Sequence, residues 1–365
     1  MHINDSLKYL VGFKKALSRI AEGGGEEYET RDFIMDSLRF LGFSPILCAQ
    51  TGVICPIDFG KEKSIAFRAD MDALPLNGDY AHLCGHDAHM ALLLAFAAHV
   101  AEDLPDYDCN ILLIFQPAEE TFGGAPGMIA EGILEKYNVA EIYSFHVFPS
   151  LPGGFMASMP GYMFSDSSKL IIRAKGLSAH AASGKEVRDA LKAAGQIVTD
   201  INNIPPSGKA LCRVCTLQAG RAQNIIADSA ELTGIIRTLG LQSHGEMLEA
   251  IDEICRQAAC SSGCEVCFIA EGGYIALKND GRLYRRAKEL FGKKFKKASP
   301  CFLADDFAFF ARERPGLYML LGVGEGGQTP ELHSSDFSFN EKYLSVGLKA
   351  YITIAENAPL LESKK

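Results

Sequence analysis

Apolar positions near the start of the chain recur at helical spacing: Leu7, Leu10, Val11, Leu17 and Ile20 fall on one stripe. A second helical stretch runs from Glu26 to about Leu41 and stops at Gly42. Short apolar runs then appear, each closing in polar or charged residues: SIAFRAD (64–70), NILLIFQPAEE (110–120) and EIYSFHV (141–147). The helical stretches HMALLLAFAAHVAED (89–103) and GMIAEGILEKY (127–137) separate them. Strands alternating with helices predict an α/β domain, a mostly parallel sheet covered by helices on both faces.

The middle of the chain has another rhythm. DSSKLIIRAKG (166–176) predicts a strand and GKEVRDALKAAGQIVTDI (184–201) a helix. ALCRVCTLQAG (210–220) and SAELTGIIRTL (229–239) predict two strands, HGEMLEAIDEICRQAAC (244–260) a helix and CEVCFIAEGG (264–273) a strand. The order β-α-β-β-α-β is that of a split βαβ, ferredoxin-like unit. After Tyr274 the alternation returns, with a helix in NDGRLYRRAKELFG, a strand in LYMLLGVG and a last helix from about Glu341 to Glu356. The expected organisation is one α/β domain built from residues 1–163 and 274–365, with a smaller α+β domain, 164–273, inserted.

Composition narrows the classes. Across 365 residues, 48% hydrophobic and 22% charged is the profile of a globular protein with substantial cores. Asp and Glu outnumber Lys and Arg by 45 to 36, a formal charge of −9, which argues against nucleic acid as a partner. No apolar run approaches the ~20 residues of a membrane span, and the first residues lack the continuous apolar stretch of a signal peptide. The 11 cysteines, an odd number, are expected to be reduced thiols of a cytoplasmic protein.

In parallel α/β sheets, ligands bind beyond the carboxyl ends of the strands. Metal-ligating residue types gather at such ends here. Asp70 and Asp72 follow SIAFR, Glu119 and Glu120 follow ILLIFQPA, and His146 closes IYSF. Cys84-Gly85-His86-Asp87-Ala88-His89 opens a helix, and His333 lies in a polar loop. Taken singly, each has an ordinary reading: a solvated His, surface carboxylates, a small buried Cys. Their convergence from five places on one side of one sheet favours a metal centre. Thiolate, imidazole and carboxylate together suit zinc, or manganese where oxygen ligands dominate. The adjacent carboxylates 119 and 120 diverge on a turn, so one can face a metal and the other a water, giving a ligand and a general base. The number of candidates suits two ions better than one.

RADMDALP (68–75), CGHDAH (84–89), IFQPAEE (114–120), FHVFP (145–149) and LHSSDF (332–337) resemble the aminoacylase/hippurate-hydrolase type of metal-dependent amidohydrolase. That metallopeptidase family includes N-acetyldiaminopimelate deacetylases and indole-acetyl-amino-acid hydrolases. The likeness continues through GLSAHAA (176–182), GRAQNIIADSAELTGIIRT (220–238) and ADDFAFF (304–310). It implies a zinc-exopeptidase-like catalytic domain whose inserted domain acts as a lid and makes a homodimer. By position, Cys84, His86, Glu120, His146 and His333 match the family's metal ligands, Glu119 its general base and Asp72 the aspartate supporting the metals. His180 matches the histidine that polarises the substrate carbonyl, and Asn224 and Arg237 match positions that hold the substrate carboxylate. The implied cofactor is a pair of divalent ions, zinc first, with manganese, cobalt or nickel as alternatives. The implied reaction is hydrolysis of a small N-acyl, above all N-acetyl, amino acid. A dipeptidase or carboxypeptidase using the same site is the second reading, and a catalytically silent binding protein the third.

Three departures from the family pattern touch the rim of the site: the short LNGDYAHL segment (76–83), AEGGG (21–25) in place of a His/Pro-containing stretch, and Ala227 in place of a proline. Elsewhere, Cys255, Cys260, Cys264 and Cys267 fail as a zinc site because Cys264 and Cys267, three apart on a strand, face opposite ways. GVGEGG (322–327) lacks the strand-to-helix context of a dinucleotide fingerprint and is expected to be a flexible active-site loop.

Overall fold

A computed structural model of the chain describes residues 3–103, 105–121, 123–327 and 329–358, with side chains from residue 8 onward. The chain divides into two compact units. The first is built from Met1–Gly161, Lys278–Ser299 and Asp306–Lys365, the second from Tyr162–Leu277 and Pro300–Asp305. The short return of 300–305 to the second unit has no periodic signature in the sequence.

The first unit holds an eight-stranded sheet. Its centre is four parallel strands in the order Asn110–Gln116, Ser64–Asp70, Val139–Pro152, Gly316–Gly324. Every side chain of Ser64–Asp70 is buried, the pattern of a strand covered on both faces. The antiparallel hairpin Ile46–Cys48/Gly52–Ile57 extends one side, and Met156–Ser158 and Phe295–Lys297 extend the other. These short marginal strands carry little alternation. The strand bearing His146 does not end there but runs on to Pro152, paired with Gly316–Gly324. That partner absorbs Gly322–Gly324, so the glycine-rich loop begins at Glu325.

Against this sheet lies the helix His86–Asp103, buried at every residue from His86 to Val100. Its sequence is apolar all round, as a helix packed on every side requires. Phe96 meets Phe67 edge-on at 5.1 Å, and Tyr351 of the last helix, Leu344–Glu356, meets Phe67 at 4.8 Å. This packing fixes the first turn of the helix, where His86 and His89 sit.

The second unit has an antiparallel sheet in the order Ala210–Ala219, Ser229–Thr238, Ser168–Lys175, Glu265–Gly272. Helices Ala190–Asn202 and Leu241–Ser262 contribute Ile197, Ile201, Met247 and Ile251 to its core. This is the ferredoxin-like order. The first helix starts at Ala190, six residues later than the apolar pattern suggests. Asp189 caps it, accepting from the backbone N–H of Leu191 and Lys192 at 3.0 and 3.1 Å. The preceding residues are drawn into a bridge between Leu177 and Arg188. That approach is close: a Cβ on Gly176 would lie 2.0 Å from the Arg188 carbonyl oxygen.

Candidate metal centre

Asp70 and Asp72 stand at the end of Ser64–Asp70, both buried. Asp72 is a fastener. Its carboxylate accepts the backbone N–H of Glu119 at 3.1 Å and of Glu120 at 2.9 Å. Its carbonyl oxygen lies 2.9 Å from His86 Nδ1. With Nδ1 donating to that carbonyl, His86 Nε2 is left as an acceptor, the tautomer of a metal ligand. His146 is set the same way, its Nδ1 2.7 Å from the Val147 carbonyl oxygen.

The five proposed ligands converge. Cys84 Sγ is 3.4 Å from His146 Nε2 and 3.1 Å from His333 Nε2. His333 Nε2 is 3.4 Å from Glu120 Oε1. Two triads emerge, Cys84–His86–His146 and Cys84–Glu120–His333, with the donor atoms of each within 4.8 Å of one another. They share Cys84. Glu119 joins His86 and Glu120 in a further group of the same span. Tight backbone makes this convergence: Gly85 has φ 81°, and a Cβ there would meet Val147 Cγ2 at 2.4 Å. Ala118 and His333 are non-glycine residues at φ 52° and 66°, in the left-handed region that L side chains rarely adopt. None of Cys255, Cys260, Cys264 or Cys267 belongs to a candidate metal group among the described residues.

Electrostatics supports a cation here. Burial pushes the His146 imidazole down to about 3, so it is neutral and ready to ligate. Burial also pushes the Cys84 thiol up. Contacts with Cys84 and Glu120 raise His333 to about 10. Burial works against the Glu120 charge, but the contact with His333 outweighs it and holds the carboxyl below its ordinary range. Protons are thus crowded where a cation would replace them. Two buried donor atoms of the set, His86 Nε2 and Glu120 Oε1, have no hydrogen-bond partner. Leaving such atoms unmet costs about 1–3 kcal/mol each, and a divalent ion facing them removes that cost. The donor set therefore fits a metal.

Behind the ligands is a layer that sequence reasoning missed. Arg68, fully buried, donates to Gln116 Oε1 at 2.8 Å, to Asp70 Oδ2 at 2.7 Å and to Asp306 Oδ1 at 2.7 Å. Burial works against the Asp70 charge, but His86, His89 and Arg68 hold its carboxyl well below the ordinary range. Asp70 Oδ1 is 2.5 Å from His89 Nδ1, and His89 Nε2 accepts the Val147 N–H at 2.9 Å. His89 therefore ties the helix carrying His86 to the strand carrying His146. The only signal in the sequence was an arginine inside an otherwise apolar strand. Arg68→Met is expected to leave Asp70 and Asp306 buried without their cation, at a cost of about 3–5 kcal/mol. A fall in the urea midpoint measures it, and a midpoint equal to wild type would refute the assignment.

The remaining predicted residues lie in the second unit. His180 and Asn224 are together, with Nε2 and Nδ2 3.5 Å apart and the Asn224 carbonyl accepting the Ala181 N–H at 2.9 Å. Arg237 is not beside them. It is the penultimate residue of Ser229–Thr238, at the far end of that strand from Asn224, roughly 25 Å away at ~3.3 Å per residue. It is half-buried, and burial lowers its pKa despite the nearby Asp166 carboxylate. Within this unit Asn224 and Arg237 do not share a pocket.

Comparison with known proteins gives a consistent picture. A profile described as peptidase family M20/M25/M40 matches residues 66–357. N-acetyldiaminopimelate deacetylase of Shouchella clausii is 30% identical over 372 residues, covering 96% of this chain and 97% of the relative. The protein of the same name from Halalkalibacterium halodurans is 30% identical over 370 residues, covering 95% and 98%. Among solved structures, a dinuclear metal-binding peptidase of the M20 family from Bacillus subtilis superposes with a TM-score of 0.85 at 26% identity, covering 96% of this chain and 98% of that one.

Proposed function

The chain belongs to peptidase family M20/M25/M40 and is a metal-dependent hydrolase of amide bonds, and on that premise we propose that it removes the acyl group, above all acetyl, from N-acyl amino acids. The observation that carries this reading is the pair of triads sharing Cys84 with Glu119 beside them. Cys84, His86, Glu120, His146 and His333 would hold two divalent ions, zinc first, with manganese, cobalt or nickel as alternatives. Such a pair supplies Lewis acidity to the amide carbonyl and an acidified water. Glu119 takes the proton from the attacking water and delivers it to the leaving nitrogen, so one carboxylate serves as base and then acid. Asp72 holds the backbone of both glutamates while this happens.

We assign the inserted unit's Arg237 to the substrate carboxylate, which a guanidinium grips through two parallel hydrogen bonds, and His180, with Asn224 orienting it, to the substrate carbonyl. Since roughly 25 Å separates the two within one chain at ~3.3 Å per strand residue, one small substrate would meet both only where His180 comes from a second, paired chain. Pairing of two chains through this unit and a place in the cytoplasm belong to the same reading. The deciding experiment is a hydrolysis screen of N-acetyl, N-benzoyl and other N-acyl amino acids beside unblocked dipeptides, each with added zinc, manganese, cobalt or nickel. Faster turnover of dipeptides would replace the deacylase reading with a dipeptidase. Arg237→Ala is expected to weaken turnover of a free-carboxylate substrate by at least about tenfold, the scale of a lost charge-assisted hydrogen bond. The same substrate with its carboxylate amidated should hardly change. Equal losses on both would count against the assignment.

A further inference from the structure

The turn that presents Glu119 is held by more than Asp72. Three successive backbone N–H groups, those of Ala118, Glu119 and Glu120, all donate to buried carboxylates. Asp72 takes the last two. Glu27, 91 residues earlier in the chain, takes the first: its Oε1 accepts the Ala118 N–H at 2.7 Å. Its Oε2 accepts the Thr51 hydroxyl at 2.5 Å. Glu27 and Thr51 are completely buried.

Glu27 is an unusual place to bury a carboxylate. It immediately precedes the helix Tyr28–Phe40, yet makes no side-chain cap to it. Glu22 does that work, accepting from the N–H of Glu29 and Thr30 at 3.1 and 2.9 Å. Glu27 is therefore free to turn inward, and burial pushes its carboxyl up despite the bonds from Thr51 and Ala118. Burying a carboxylate is costly, so its two hydrogen bonds are what hold it there. What it secures is a strained conformation: Ala118 at φ 52° is the residue just before Glu119. An alanine there costs about 1–2 kcal/mol, and without an acceptor for its N–H the turn would be expected to relax. The surroundings leave it one way to sit. A Cβ on Gly24 would meet Thr121 Oγ1 at 2.3 Å and the Ala118 Cα at 3.1 Å, and one on Gly124 would meet the Pro117 carbonyl oxygen at 1.6 Å.

We propose that Glu27 is a positioning residue for the general base: by accepting the Ala118 N–H it holds the strained turn that aims the Glu119 carboxylate. The inference rests on Glu119 acting as base in amide hydrolysis. It also gives the segment that follows AEGGG a task, the bracing of the base turn from behind.

The test compares Glu27→Gln, Glu27→Asp and Glu27→Leu in the metal-loaded, full-length protein, measuring kcat, KM, bound metal and thermal midpoint. The screen above first establishes that the wild type cleaves an N-acyl amino acid; no cleavage at all refutes the proposed reaction, not the role of Glu27. With an active wild type, Gln is expected to keep most of kcat, because its amide oxygen accepts from Ala118 and its NH2 donates to Thr51. Leu is expected to lose roughly 10–100-fold in kcat, the scale of a reactive group displaced by about 1 Å, with KM within about threefold and bound metal unchanged. Asp, one methylene short of Ala118, should fall between. If Leu does not fold, the contrast between Asp and Gln decides. The proposal is overturned if Asp and Gln have equal kcat, if Leu matches wild type, or if each loss of kcat follows a loss of bound metal.

Discussion

Glu119→Gln is expected to retain bound metal and to lose about 10²–10⁴-fold in kcat, the usual contribution of a general base, and more where one group serves as both base and acid. The substitution is nearly isosteric. The bond that places residue 119 comes from its backbone N–H to Asp72, which the change does not touch. Glu120, the ligand beside it, is anchored to Asp72 through its own N–H. Geometry and ligation should therefore survive while the ability to take a proton does not. Three measurements on one preparation check this: kcat on an N-acyl amino acid, metal per chain, and thermal midpoint. Activity within tenfold of wild type with full metal would remove Glu119 from the proton-transfer role. Loss of metal together with activity would move it into the ligand set.

Much of this centre was legible because metal chemistry restricts residue types. Cys84, His86, Glu120, His146 and His333 are all donors, and the first four follow, close or open segments whose periodicity is strong enough to place them, while His333 stands in a polar loop where only its residue type signals it. The layer behind them was not legible. Arg68 stands in a strand buried at every position, where an apolar pattern gives no hint that one side chain is a cation bonded to Asp306, far along the chain. Glu27 reads as one of several acids in a polar stretch, and only the fold shows that it turns away from its own helix toward Ala118. The separation of Asn224 from Arg237 was implicit in the strand expected over 229–239, which carries Arg237 away from Asn224 along its length. The late start of Ala190–Asn202 has a local cause, the Asp189 cap overriding apolar spacing that would have continued the helix backward.

Cys84→Ala is expected to remove bound metal as well as activity. Its Sγ is the one donor common to both triads. Without it, one side keeps His86 and His146 and the other Glu120 and His333, two protein ligands each, where catalytic zinc sites ordinarily have three. Activity should fall to background, and excess metal should not restore it at concentrations that saturate wild type. This separates the variant from Glu119→Gln, which keeps its ions. Cys84→Ser should be graded by metal: a hydroxyl is a harder donor than a thiolate, so manganese should be retained relatively better than zinc. Full metal content in Cys84→Ala would mean that the two triads do not meet at the sulfur, and the shared-ligand arrangement would have to be abandoned.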